Sequence, residues 1–278
     1  MPSFFRFPFL LASAGGVGSA VYVAKSLYKD DEVRKGGDIP KKPKMIKSVI
    51  FDYDGIIVDS ETIFYQTKFT KKIYKNKFKG KRRACAHFGG DYTLEIKHAQ
   101  MGRNLSDAVE CVLRRSGLSE KNVTEKEYLD VYNKSLDKLL PDMKLMPGAR
   151  RLIEHLQKNG IQTSICTSSS SAEFSKKVDK CEDLVKKMNT VVLAGDDPEV
   201  EVGKPGPDPY LVTMRRMSPK PSDPLEVLVF EDSINGVKSA LSAGCSVIWV
   251  PQQDSIITNW EDKRLLRGNS RNIQIFEK

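Results

Sequence analysis

Apolar positions in this chain fall into short, nearly unbroken runs separated by amphipathic stretches. Residues 48–51 (SVIF), 162–166 (QTSIC), 191–193 (VVL), 227–230 (VLVF) and 247–250 (VIWV) are the clearest runs, rich in β-branched residues. Runs of this kind predict strands buried on both faces of a parallel sheet, because a strand with one wet face would alternate. Between them, residues 148–159 carry Leu152, Ile153 and Leu156 at helical spacing and stop before Gly160, a residue suited to ending a helix. Residues 209–217 and 235–243 predict two more helices, the latter closing at Gly244. Strand–helix alternation predicts an α/β fold, a doubly wound Rossmann-like parallel sheet with its site at the carboxyl ends of the strands. Residues 62–144 break the rhythm with helical patterns and no convincing strand. The expected organisation is therefore a core of residues 45–61 and 145–278, with an inserted α-helical cap at 62–144.

Composition changes this picture only through charge. The chain has 278 residues, 40% apolar and 29% charged, which excludes disordered, collagen-like and multi-span membrane classes. Its net charge is +9, a total that invites polyanion binding until it is located. Residues 1–44 hold eight basic and four acidic residues, and residues 66–103 hold eleven basic and two acidic. The rest of the chain is mildly acidic. The basic stretch 68–83 (KFTKKIYKNKFKGKRR) reads first as a solvated face. Attraction of anionic substrates is its second reading, and nucleic-acid contact through Phe69, Tyr74 and Phe78 is disfavoured. Residues 7–24 (FPFLLASAGGVGSAVYVA) carry no charge, and a helix there would be about 27 Å long, the short limit for a bilayer. With Arg6, Lys25 and Lys29 flanking it, the segment is expected to contact a membrane as an anchor or to serve as a mitochondrial targeting signal. The polar stretch 30–44 reads as a linker. Five cysteines, an odd number without a CxxC pair, argue against a disulfide scaffold or zinc ribbon. The expectation is an intracellular protein, cytoplasmic or mitochondrial, of unknown oligomeric state.

The chemistry gathers where the predicted strands end. The first runs into Asp52-Tyr53-Asp54-Gly55, two carboxylates that converge if Gly55 allows the backbone to turn. The second ends in Thr167-Ser168-Ser169, hydroxyl and backbone N–H groups suited to phosphate oxygens. Lys204 stands between Gly203 and Pro205, and the fourth strand ends in Glu231-Asp232-Ser233. Three acids, a lysine and a hydroxyl cluster on one sheet edge describe a Mg²⁺-phosphate site, since Mg²⁺ prefers oxygen ligands and bridges carboxylate to phosphate. Asp59 and Ser60 read as caps of the next helix. No histidine has metal-site spacing.

Four ordered motifs, at 48–60, at Thr167, at 203–205 (GKP) and at 229–244 (VFEDSxxGxxxAxxAG), resemble the haloacid dehalogenase superfamily of phosphatases. The likeness runs from about residue 45 to 251. Within the superfamily, 195–211 (GDDPEVEVGKPGPDPYL), 101–103 (MGR) and 145–161 look most like pseudouridine-5′-phosphatase-like proteins. The resemblance implies that Asp52 is the nucleophile that forms an aspartyl-phosphate, and Asp54 the general acid and then base. It implies that Thr167 and Lys204 bind the phosphoryl group; Ser168 stands in the same hydroxyl cluster, and Arg103, just after Gly102, reads equally as a substrate contact or as a solvated helix end. Mg²⁺ would be held by Asp52, Asp232 and the Asp54 backbone carbonyl, with Glu231 outside them. The implied partner is a small phosphorylated metabolite, best matched by pseudouridine 5′-phosphate. The alternatives are a β-phosphoglucomutase-type sugar phosphomutase and a membrane-tethered scaffold without activity. The stretch 79–100 is longer and more basic than in these relatives.

Overall fold

The structure is a computed structural model that describes residues 45–60, 81–251 and 273–275, apart from 102, 104, 139, 141 and 142. The leader at 7–24, the linker, residues 68–80 of the basic stretch and the helix expected after Ser60 lie outside these residues. Among the described residues, no helix is long and apolar enough to cross a membrane.

Six parallel strands form one sheet: β1 (Ser48–Phe51), β2 (Gln162–Thr167), β3 (Thr190–Leu193), β4 (Val227–Glu231), β5 (Ser246–Trp249) and β6 (Ile273–Ile275). Their order is β3-β2-β1-β4-β5-β6. Strand β1 therefore lies between β2 and β4, and the chain winds outward from it in both directions, the doubly wound α/β class that the runs predict. The pleat explains why the runs are unbroken. Ile50 faces one apolar layer, with Tyr210, Val229, Val237 and Trp249, while Val49 and Phe51 face a second, with Ile153, Ile165 and Leu184. Each fully buried side chain of this size contributes about 1.5–3 kcal/mol, so both faces of β1 favour the same register. The first expected strand matches β1 at both ends, and the other four differ from β2 to β5 by no more than one residue at either end. Strand β6 has no counterpart among them.

Helices α1 (Lys81–His87), α2 (Leu94–Gln100), α3 (Leu105–Arg115) and α4 (Glu125–Asp137) come between β1 and α5 (Ala149–Lys158). They share an apolar cluster of their own, built on Cys85, Tyr92, Val112, Leu118, Tyr128 and Leu136. Val58 and Leu145 pair as an isolated antiparallel bridge, reinforced by Asp59 N–H donating to the Lys144 carbonyl at 2.7 Å. The outgoing and returning chains are thus tied where this helical stretch begins and ends. Helices α6 (Ser171–Lys177) and α7 (Glu182–Val185) follow β2, α8 (Asp208–Arg216) follows β3, and α9 (Ile234–Ser242) follows β4. All five cysteines are buried and free of disulfides.

Candidate active site

The chain beyond β1 turns as its glycine requires. Gly55 has φ +82°, a conformation that costs other residues, and its N–H donates to the Val58 carbonyl at 2.8 Å. The turn leaves Asp52 buried at the mouth of β1, its backbone N–H on Phe230 of β4 at 2.9 Å. Between the two aspartates, Tyr53 points into the core against Phe174, ring centroids 4.7 Å apart.

Lys204 is buried, and its ammonium donates three hydrogen bonds: to Asp52 Oδ1 at 2.9 Å, Glu231 Oε1 at 2.7 Å and the Cys166 carbonyl at 3.1 Å. Burial works against its charge, but Asp52 and Glu231 outweigh that and hold its pKa above the ordinary lysine value. Glu231 is used on both oxygens. Oε1 also accepts from Tyr210 Oη at 2.7 Å, and Oε2 accepts from the backbone N–H groups of Asp232 and Ser233 and from Ser233 Oγ. Asp232 is buried beside it, its carbonyl taking Trp249 Nε1 at 2.9 Å.

Asp52, Glu231 and Asp232 each present one carboxylate oxygen within 4.8 Å of the others. The cluster's negative charge is felt at Asp52, whose carboxyl is pushed up to about 7, first by burial and then by Glu231, against the pull of Lys204. Buried, hard oxygen donors carrying excess negative charge fit a divalent cation such as Mg²⁺. Protein donors already occupy both Glu231 oxygens, which leaves it poorly placed to bind a cation directly.

At the end of β2, Ser169 N–H donates to Thr167 Oγ1 at 3.1 Å, and Ser169 Oγ to Asp54 Oδ2 at 3.0 Å. Ser168 is half-buried in the same loop. Gly195 lets this loop pack closely: a Cβ there would stand 2.6 Å from Ser170 N. Asp54 is gripped by Lys177, whose Nζ reaches Oδ1 at 3.1 Å and Oδ2 at 3.0 Å. Burial raises the Asp54 pKa, but Lys177 and the hydrogen bonds overcome it and hold the carboxyl below its ordinary value.

The structure thus brings Asp52, Lys204, Glu231 and Asp232 together, and sets Asp54 beside Ser169. Arg103 Nε donates to the Ala99 carbonyl at 2.8 Å. Tyr210 and Lys177 are not among the residues expected from the sequence. Tyr210 is the next-to-last residue of the quoted stretch 195–211, six residues past Lys204. Lys177 carried none. Asn235 Nδ2, at the start of α9, links this edge to the helical stretch by donating to the Met101 carbonyl at 2.7 Å.

Acids at the carboxyl ends of β1 and β4, where the winding reverses, define a switch-point α/β enzyme. The chain belongs to the haloacid dehalogenase-like hydrolases, whose family model matches residues 49–250. It is 36% identical over 206 residues to (DL)-glycerol-3-phosphatase 1, mitochondrial, of Arabidopsis thaliana, covering 74% of this chain and 64% of that protein. It is 35% identical to (DL)-glycerol-3-phosphatase 2 of the same plant, covering 74% and 80%. A Drosophila melanogaster protein named "Probable pseudouridine-5'-phosphatase" is 33% identical over 210 residues, covering 75% and 83%. Among solved structures, β-phosphoglucomutase from Clostridium difficile superposes with TM-score 0.58 at 19% identity, over 79% of this chain and 88% of that one, a likeness of fold.

Proposed function

We propose that this chain is a Mg²⁺-dependent phosphatase of small primary-alkyl phosphate monoesters, working through an aspartyl-phosphate on Asp52. The observation that carries the reading is the buried Asp52–Lys204–Glu231 chain of ion pairs at the switch point, with Asp232 beside it. Asp52 attacks phosphorus, the bond to the ester oxygen breaks, and the departing alcohol takes a proton from Asp54, which Lys177 holds ionised in the free site and which carries a proton only beside the bound phosphate. Water then attacks the aspartyl-phosphate and gives its proton to Asp54, releasing inorganic phosphate and restoring Asp52. Lys204, Thr167 and Ser168 bind the phosphoryl oxygens, and Lys204 offsets the charge gathered on nucleophile and phosphate. Asp52, Asp232 and the Asp54 backbone carbonyl would hold Mg²⁺, which when bound neutralises charge on the carboxylates and phosphoryl oxygens. Helices α1 to α4, with their own apolar cluster, serve as the cap that excludes water from the reacting group.

Two substrates are in view. Pseudouridine 5′-phosphate is supported by the motif 195–211 and the Drosophila relative, and glycerol 3-phosphate by the two plant relatives at 35–36% identity. Both are phosphate esters of primary alcohols, poor leaving groups that need a proton donor. Purified full-length protein is to be assayed on both esters and on sugar phosphates, with and without Mg²⁺. Stoichiometric release of phosphate that needs Mg²⁺ and vanishes in a folded Asp52→Asn variant is the expected result. Activity unchanged in that variant, or isomerised sugar phosphate without phosphate release, sinks the mechanism.

A further inference from the structure

We infer that Lys177 is a positioning residue that aims the Asp54 carboxyl group at the ester oxygen of the substrate, acting together with Ser169. The inference rests on the reading of Asp54 as proton donor and adds the device that makes it effective. A carboxyl group on a short side chain still rotates about its last bond, and proton delivery depends on where its oxygens point. Here rotation is blocked. Lys177 Nζ lies within 3.1 Å of both Asp54 oxygens, and Ser169 Oγ donates to Oδ2 while accepting from Lys177 Nζ at 3.1 Å. The grip is one-sided: the Lys177 side chain is 6% exposed and that of Asp54 26%, so the carboxyl is held from the protein and open on the other side.

The lysine is itself held by the residue between the two aspartates. Tyr53 Oη donates to the Lys177 backbone carbonyl at 3.1 Å, and the Tyr53 ring packs on Phe174 one turn earlier in α6. Ser170 caps the start of that helix by accepting from Glu173 N–H. The loop that carries Asp52 and Asp54 therefore docks α6, and α6 returns an ammonium to Asp54. Stability alone gives little reason for such a pair, since burying a lysine and a carboxylate gains little over well-packed apolar residues.

The test uses the dependence on leaving group. Lys177→Met, Lys177→Arg, Ser169→Ala and Asp54→Asn are compared with the parent in full-length protein loaded with Mg²⁺. Each is assayed on two esters: p-nitrophenyl phosphate, and whichever of glycerol 3-phosphate and pseudouridine 5′-phosphate ranks higher. The readout is kcat/KM, which covers events through phosphoryl transfer to Asp52. p-Nitrophenolate departs without a proton, so only the alkyl ester needs the aimed acid. Lys177→Met is expected to lose on the order of 100-fold on the alkyl ester and less than about threefold on the aryl ester. Lys177→Arg recovers most of that loss, and Ser169→Ala shows a smaller loss of the same selectivity. Equal loss on both esters, or none on either, while Asp54→Asn remains selective, overturns the role of Lys177 and leaves the proton-donor reading standing. An unselective Asp54→Asn overturns both. If Lys177→Met does not fold, as judged by circular dichroism, the selectivity of Ser169→Ala decides.

Discussion

Glu231 occupies the space that a side chain on Gly236 would need. A Cβ at Gly236 would sit 1.8 Å from Glu231 Oε1 and 2.0 Å from its Cδ. The glycine lies in the first turn of α9, where a residue with a side chain is ordinarily the better helix former by roughly 1 kcal/mol. That preference is given up so that a buried carboxylate can rest against the helix and accept from Lys204, Tyr210 and Ser233. Gly236→Ala is therefore expected to destabilise the fold, by roughly 2 kcal/mol after the helix gain, because Glu231 must move and give up part of its five hydrogen bonds. Phosphate release falls on the order of 100-fold with it. Urea unfolding and an activity assay check both, and a variant as stable and active as the parent refutes the packing account.

Lys204→Met tests the other end of the same network. Removing the ammonium leaves Asp52 and Glu231 buried with no counter-charge, a change that costs about 3–5 kcal/mol when one partner of a buried pair is lost. A second substitution, Glu231→Gln, removes one of the stranded charges. The double variant is expected to be more stable than Lys204→Met alone, although neither recovers activity. Strict additivity of the two changes in unfolding free energy would show that the charges do not interact.

The raised pKa of Asp52 sets the direction of a pH effect in metal-free protein. Between its ordinary value of 3.8 and about 7, the folded state holds a proton that the unfolded chain has released. Its contribution to stability therefore falls as pH rises through that window. Asp54, whose pKa is lowered, acts in the opposite sense and only below its ordinary value, so it leaves the window unaffected. Melting temperatures taken in chelator from pH 5 to 7.5 should decline less steeply in Asp52→Asn than in the parent. Added Mg²⁺ should raise the parent's melting temperature more at pH 7.5 than at pH 5, because it binds the ionised cluster. A stabilisation by Mg²⁺ that is the same at both values counts against a carboxylate site.

How far the sequence could be read depended on whether a residue's neighbours were local. Strands β1, β2, β4 and β5 were legible because burial on both faces removes the polar alternation, and the acids that follow them were legible because strand ends share an edge. Glu231 belongs to β4 itself, and its neighbours Tyr210 and Gly236 come from two different helices. Lys176 and Lys177 show where local reading fails. Lys176 pairs with Asp137 at 2.9 Å on the surface, while its neighbour is buried against Asp54. Two adjacent lysines near the end of a short helix look alike until the face that docks is known, and the contact with Tyr53 decides that. Arg103 lies just past α2, and its Nε donates to the Ala99 carbonyl of that helix, a contact that no sequence pattern announces. Strand β6 is three residues long, too short for a periodicity to register.

Asn235 offers a test of whether the helices before α5 act on the substrate. Its amide donates to the Met101 carbonyl at 2.7 Å in a buried setting, linking the helix that follows the acids to the segment after α2. Asn235→Ala leaves that carbonyl without its donor, at a cost of about 1–3 kcal/mol. Asn235 is not among the residues assigned to bond breaking, so kcat should stay within about threefold while KM for the alkyl ester rises several-fold. Asn235→Asp should be worse than alanine, because a carboxylate faces the carbonyl oxygen with no proton to donate. If KM is unchanged in both variants while the melting temperature falls, the contact only stabilises the fold. Substrate choice would then have to be sought in other parts of the helical stretch.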